Sequence, residues 1–148
     1  MPNAAHLHIL LNHFPVIGIM FIFVLMIYAL IIKNEKVKHF AMFLLVLLSI
    51  LTIFVFTSGD KAKGIVKGME GIAEENIEKH EEFANYSFIS IEIVGVITAL
   101  ILIYVRFSKP VPVFYSFVFL ILLLFILAMM IYTSHLGGKI SHSEIMLK

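Results

Sequence analysis

Histidine is the residue type here whose chemistry and placement invite a functional reading. The chain has seven of them, and His6, His8 and His13 crowd into "HLHILLNHFPVIG" at residues 6–18. Neutral imidazole binds Zn, Cu, non-haem Fe and haem iron. Cysteine is absent, which removes thiolate metal sites, disulfides, covalent haem attachment and cysteine-ligated iron–sulfur clusters. Any site must therefore be built from nitrogen and carboxylate ligands. The "HEEF" run at residues 80–83 lacks the spacing of a zinc-protease helix, and no serine or lysine sits in a nucleophile motif. Hydrolase chemistry has no support. If the chain is an enzyme, electron transfer or quinol oxidation is the remaining class.

The elements that must position these imidazoles are membrane helices. Of the 148 residues, 61% are hydrophobic and 14% charged, and the mean hydropathy is +1.03, well beyond the balance of a water-soluble domain. The formal charge of +1, with basic residues scattered singly, offers no field for nucleic acid. Tryptophan is absent, so Tyr and Phe must serve as aromatic anchors. Four apolar stretches, Pro15 to Ile32, Phe40 to Thr57, Tyr86 to Val105 and Val111 to Thr133, are each long enough to cross a hydrocarbon core about 30 Å thick at about 1.5 Å per residue. The first reads as a permanent helix and not a cleaved signal, since no basic region precedes it and no small-residue cleavage pattern follows.

Short connections, Lys33 to His39 and Arg106 to Pro110, join the spans into two antiparallel hairpins. The expected fold is an all-α integral membrane bundle of four transmembrane helices, one domain over residues 1–148. Residues 58–85 form an extramembrane helical connection between the second and third spans. A short amphipathic surface segment is expected around Ile65, Val66, Met69 and Ile72, then a helix from about Ala73 running into the third span. The short turns concentrate Lys33, Lys36, Lys38, Arg106 and Lys109, whereas Lys61, Lys63, Lys67, Lys79, Lys139 and Lys148 spread over a longer stretch of the other side. This density favours the turns in the cytoplasm, with both termini and residues 58–85 outward, toward a periplasm if the membrane is the inner membrane of a Gram-negative bacterium.

That topology gathers His6, His8, His13, His80, His135 and His142 on one side and leaves His39 alone on the other. Counted from the span ends, His13 and His135 share an inner level. His6, His80 and His142 lie roughly 10 Å further out, and His8 fits either tier. A haem needs two axial ligands at one depth beside an apolar slot, which the inner pair satisfies. A non-haem metal needs three or four convergent ligands, for which the outer tier offers His6, His80 and His142 with Glu81, Glu82 or Glu144. A histidine at a membrane boundary can equally be a simple amphipathic anchor.

Glu92 is the single carboxylate within a span, a position whose default reading is functional. With Glu81 and Asn85 it shares one face of a continuous helix, as a proton path or quinol site would require. The alternative is a protonated carboxyl bonded to Thr52, Tyr132 or Ser134. Pro15 suits a first helical turn or a kink. Gly137 and Gly138 read as a C-cap after which "KISHSEI" could fold over the site.

At "HILLNHFPVIG" the chain resembles a bacterial family of uncharacterised four-helix membrane proteins marked by two histidines five apart followed by Phe-Pro. His8, His13, Phe14 and Pro15 match that pattern, His80 and Ala84 resemble a second motif, and Gly137, Gly138 and His142 a third. The resemblance implies haem or metal binding in membrane electron transfer, with His8, His13 and His80 as ligands. The expected function is that of a b-type cytochrome-like protein holding haem b near the outward face, its partners quinol and a periplasmic or membrane electron-transfer protein, with self-association open. A Cu, Zn or Fe site and a cofactor-free accessory subunit are the alternatives.

Overall fold

The structure is a computed structural model of the chain, and it describes residues 4–67, 69, 71–107 and 112–141. Those residues form five α-helices: α1 (Ala4–Leu11), α2 (His13–Ile31), α3 (Glu35–Val66), α4 (Glu74–Phe107) and α5 (Val113–Ser141). Four rods, with α1 and α2 counted as one, are long and apolar enough to cross a membrane. The sequence expectation of an all-α four-helix membrane bundle holds.

The rods close into a ring in which α2 packs on α3, α3 on α4, α4 on α5, and α5 back on α2, while α1 lies against α3. Register between α3 and α4 advances by heptads. The Lys63–Glu81 ion pair, the Phe56–Phe88 stack at 4.3 Å and the contact of Gly95 with Ser49 each lie seven residues from the next on both helices, as antiparallel neighbours require. The core is a single cluster that includes Ile19, Met26, Leu45, Ile91, Leu123 and Ile126. Small polar residues mark the inward faces: Ser49, Thr52 and Ser58 on α3, Ser87 and Thr98 on α4, and Ser116 on α5 are all buried. The hydroxyls of Ser49, Thr52, Ser58 and Thr98 are satisfied within their own helices, Thr52 and Thr98 each donating to the carbonyl four residues back at 2.7 Å. Large apolar side chains such as Phe21, Ile31, Phe54, Leu100, Phe114 and Ile121 point outward, the arrangement expected where lipid and not water is the solvent.

All five tyrosines sit exposed at two levels. Tyr28, Tyr104 and Tyr115 lie toward the short-turn end, and Tyr86 and Tyr132 toward the other. At the helical rise Tyr86 and Tyr104 stand about 27 Å apart along α4, and Tyr115 and Tyr132 about 26 Å apart along α5. Those spacings match a hydrocarbon slab edged by aromatic side chains. Each rod overshoots the slab at the end that carries the histidines.

Two local details differ from expectation, and a third, the break ahead of Pro15, agrees with it. α3 runs without a break to Val66, so Ile65 and Val66 end a transmembrane rod and do not begin a separate surface segment; α4 starts at Glu74. Gly137 and Gly138 do not cap α5, which continues through them to Ser141. Two glycines cost helix propensity of only about 1 kcal/mol each, within what packing on a neighbouring helix offsets. The first rod breaks at Asn12, between α1 and α2, just ahead of Pro15, where the missing proline donor is least costly. His142 and Glu144 lie outside the described residues.

Candidate functional site

The overshooting ends of the rods enclose a cavity of about 600 Å³, open to one side and walled by α1, α2, α3, α4, α5 and the link from α3 to α4. Its size is that of a site for a cofactor or drug-sized ligand. The wall is largely apolar, with Phe56, Phe88, Met130 and Val16 toward the bundle interior and Lys63, Asp60, Glu81 and His6 toward the outer end.

Two imidazoles meet in this cavity. His8, from α1, and His80, from α4, stand with ring centres 6.4 Å apart and planes inclined at 75°. Each is held by one ring nitrogen. His80 Nδ1 lies 3.0 Å from the Thr133 carbonyl, which can only accept, so Nδ1 carries the proton. His8 Nδ1 lies 2.9 Å from Ser58 Oγ. The Ser58 hydroxyl donates to the Val55 carbonyl at 2.6 Å, so here too Nδ1 is the donor. In both rings Nε2 is left with its lone pair and makes no hydrogen bond to the described residues. Anchoring one imidazole nitrogen on an oxygen acceptor while the other stays basic is the arrangement metal-binding histidines use.

Each ring also lies against a glycine of the helix that anchors it. A Cβ added at Gly59, beside Ser58, would sit 3.2 Å from His8 Cε1, and one at Gly137, a turn beyond Thr133, would sit 3.1 Å from His80 Cε1. Glycine lets both rings approach the helix backbone. His8 precedes Pro15, where the first apolar stretch begins, and His80 precedes Tyr86, so both belong to the overshooting ends and not to the membrane-crossing stretches. Burial in the cavity wall lowers both pKa values from 6.5. For His8 the neighbouring His80 adds to the shift while the Val55 carbonyl opposes it; for His80 the Thr133 carbonyl and Glu81 oppose it. The neutral, ligand-competent form is the favoured one.

The other candidates lie elsewhere or face differently. His13 also lines the cavity, but it is exposed and its Nδ1 donates to the Ile9 carbonyl of its own rod at 3.1 Å. His135 is exposed and outside the cavity lining. His6 is exposed at the cavity's outer end. Glu81 lines the cavity and pairs with Lys63. Glu92 is half-buried deeper in α4, apart from the cavity lining, and its Oε1 is enclosed without a hydrogen-bond partner among the described residues. Thr52, named as its possible partner, bonds its own helix. Among the described residues no three of His, Asp and Glu converge as a metal-binding group.

Ser58, Gly59, Thr133 and Gly137, which hold the two rings, were not singled out from sequence as a supporting set. A signal was present: Ser87 lies two turns after His80 and bonds the Thr133 hydroxyl at 3.0 Å, so the small polar residues mark the face on which His80 lies. Comparison with family models, with curated proteins and with solved structures gives no match.

Proposed function

We propose that this chain is a membrane b-type cytochrome-like protein that holds haem between His8 and His80 at the outward rim of its bundle and serves in electron transfer. The single observation that carries the reading is the pairing of the two rings. Imidazoles bound through Nε2 to opposite sides of one metal ion, at about 2.0 Å each, have ring centres roughly 6 Å apart, and these stand at 6.4 Å. A haem asks for two axial nitrogens and a large apolar slot. A closed Zn site asks for four ligands, more than converge among the described residues.

When bound, haem supplies a one-electron redox centre. The protein's own contribution is to fix both imidazoles through Nδ1, keep them neutral by burial, and exclude water with Phe56, Phe88 and Met130. We place the site toward the periplasm of a bacterial inner membrane, with quinol and an electron-transfer protein as partners, because the basic turns belong in the cytoplasm. The same reading keeps the chain with the four-helix family it resembles at His8, His13, Phe14 and Pro15.

The test is a pyridine haemochrome assay beside metal analysis on protein purified from haem-replete cells. About one haem b per chain is the expected result. Copper, zinc or iron without porphyrin would transfer the His8–His80 pair to a non-haem metal, and a folded preparation with neither would leave an accessory subunit.

A further inference from the structure

We propose that Lys63 is the anion anchor of the cavity, giving up its bond to Glu81 to take a carboxylate of the bound porphyrin, so that the porphyrin's carboxylate edge faces outward. This rests on the haem reading above and extends it to the ligand's orientation.

The cavity is polarised. Along α3 it runs from Thr52 through Phe56 and Gly59 to Lys63 and Val66, about 21 Å at the helical rise, with the His8–Ser58 contact near its middle. Inward of that contact the wall carries Phe56, Phe88, Met130 and Val16, with the uncharged Thr52 and Ser87 and the imidazole of His13, and no Lys or Arg to meet an ionised group. One turn outward of Gly59 stands Lys63, the one Lys or Arg lining the cavity among the described residues. A haem b carries two carboxylates on one edge of an otherwise apolar plate. Burying that edge against the Phe56–Phe88 stack would strand two anions in an apolar wall; turning it outward brings it to Lys63.

The Lys63–Glu81 pair is suited to exchange. Its side chains are 37% and 46% exposed, so it is screened by solvent and contributes little to folding. Replacing one carboxylate by another at Lys63 conserves charge there. Glu81 follows His80 directly on α4, and Asp60 and Glu78 add negative charge close to Lys63. Glu81 therefore competes with the ligand for the cation.

The experiment titrates the purified full-length protein in detergent with haemin and, separately, with iron protoporphyrin IX dimethyl ester, whose carboxylates are blocked. Lys63→Met, which keeps the apolar stem, should weaken haemin binding roughly tenfold and leave the ester within about twofold. Glu81→Gln should tighten haemin several-fold and leave the ester unchanged. Equal effects on both ligands, or none on haemin, would overturn the proposal. Should Lys63→Met not fold, Glu81→Gln decides by the same comparison. If the unsubstituted protein binds neither porphyrin, the haem reading itself has failed and the orientation falls with it; if it binds both and the variants do not discriminate, only the anchor is wrong.

Discussion

His8 and His80 stand 6.4 Å apart across the rim of the bundle with ring planes inclined at 75°, and each is anchored by Nδ1 to an oxygen on a different neighbouring helix, Ser58 of α3 for one and Thr133 of α5 for the other. One pair of imidazoles thus ties α1, α3, α4 and α5 together at the point where the apolar wall of the bundle gives way to charge.

The glycines beside the rings should be intolerant in a specific way. Gly59→Ala and Gly137→Ala each bring a methyl group to little more than 3 Å from an imidazole carbon, so the ring must give by a few tenths of an ångström. In haem-loaded protein both substitutions should shift the low-spin signal in electron paramagnetic resonance. Gly64→Ala, where nothing lies within 4 Å of the new carbon, should leave the signal unchanged and stabilise α3 by up to about 1 kcal/mol.

Deeper in the bundle, Gly95 packs directly on Ser49, where a Cβ would press on both Oγ and Cβ of the serine. Gly95→Ala should lower stability by about 1–3 kcal/mol through overpacking, and Ser49→Gly should restore most of the loss. Thermal melts of the four proteins in detergent give the coupling.

Stability of the ligand-free protein should rise with pH between the lowered histidine pKa values and 6.5. In that window the unfolded chain binds protons at His8 and His80 that the folded chain refuses, because burial disfavours the charged rings, and stability increases with pH wherever the unfolded state holds more protons. The melting temperature should fall as pH drops below 6.5, and a His8→Phe, His80→Phe variant should lose that dependence.

Topology is open to a labelling test because the chain has no cysteine. A cysteine placed at Lys67 should react with a membrane-impermeant maleimide on intact cells or spheroplasts, and one at Lys33 only after lysis. The reverse pattern would turn the bundle over.

The spans, their pairing into hairpins and the side on which the histidines collect were legible in the sequence, since each follows from apolar length and loop length. Rotation about the helix axes was harder to read. α2 and α5 are apolar on every side, so no hydrophobic stripe reports which face turns inward, and counting depth from the span ends grouped His13 with His135. His135 stands two residues from cavity-lining Thr133 and Gly137, about 200° around the helix, whereas His13 reaches the cavity wall but is exposed and bonds its own rod. Serine and threonine carried the missing phase. In a membrane helix they seek the interior, and Ser58, Ser87 and Thr133 lie on the faces that hold His8 and His80. The helical course of α5 through Gly137 and Gly138 was illegible for another reason: the pair has the form of a helix stop, and only the packing of His80 against Gly137 shows a need for glycine inside the helix.

The most direct measurement is the reduced-minus-oxidised absorption spectrum of purified protein and its single histidine variants. The account predicts a Soret band with sharp α and β bands that survive in His13→Ala and His135→Ala and are lost in His8→Ala and in His80→Ala. Full retention in both His8→Ala and His80→Ala would contradict it.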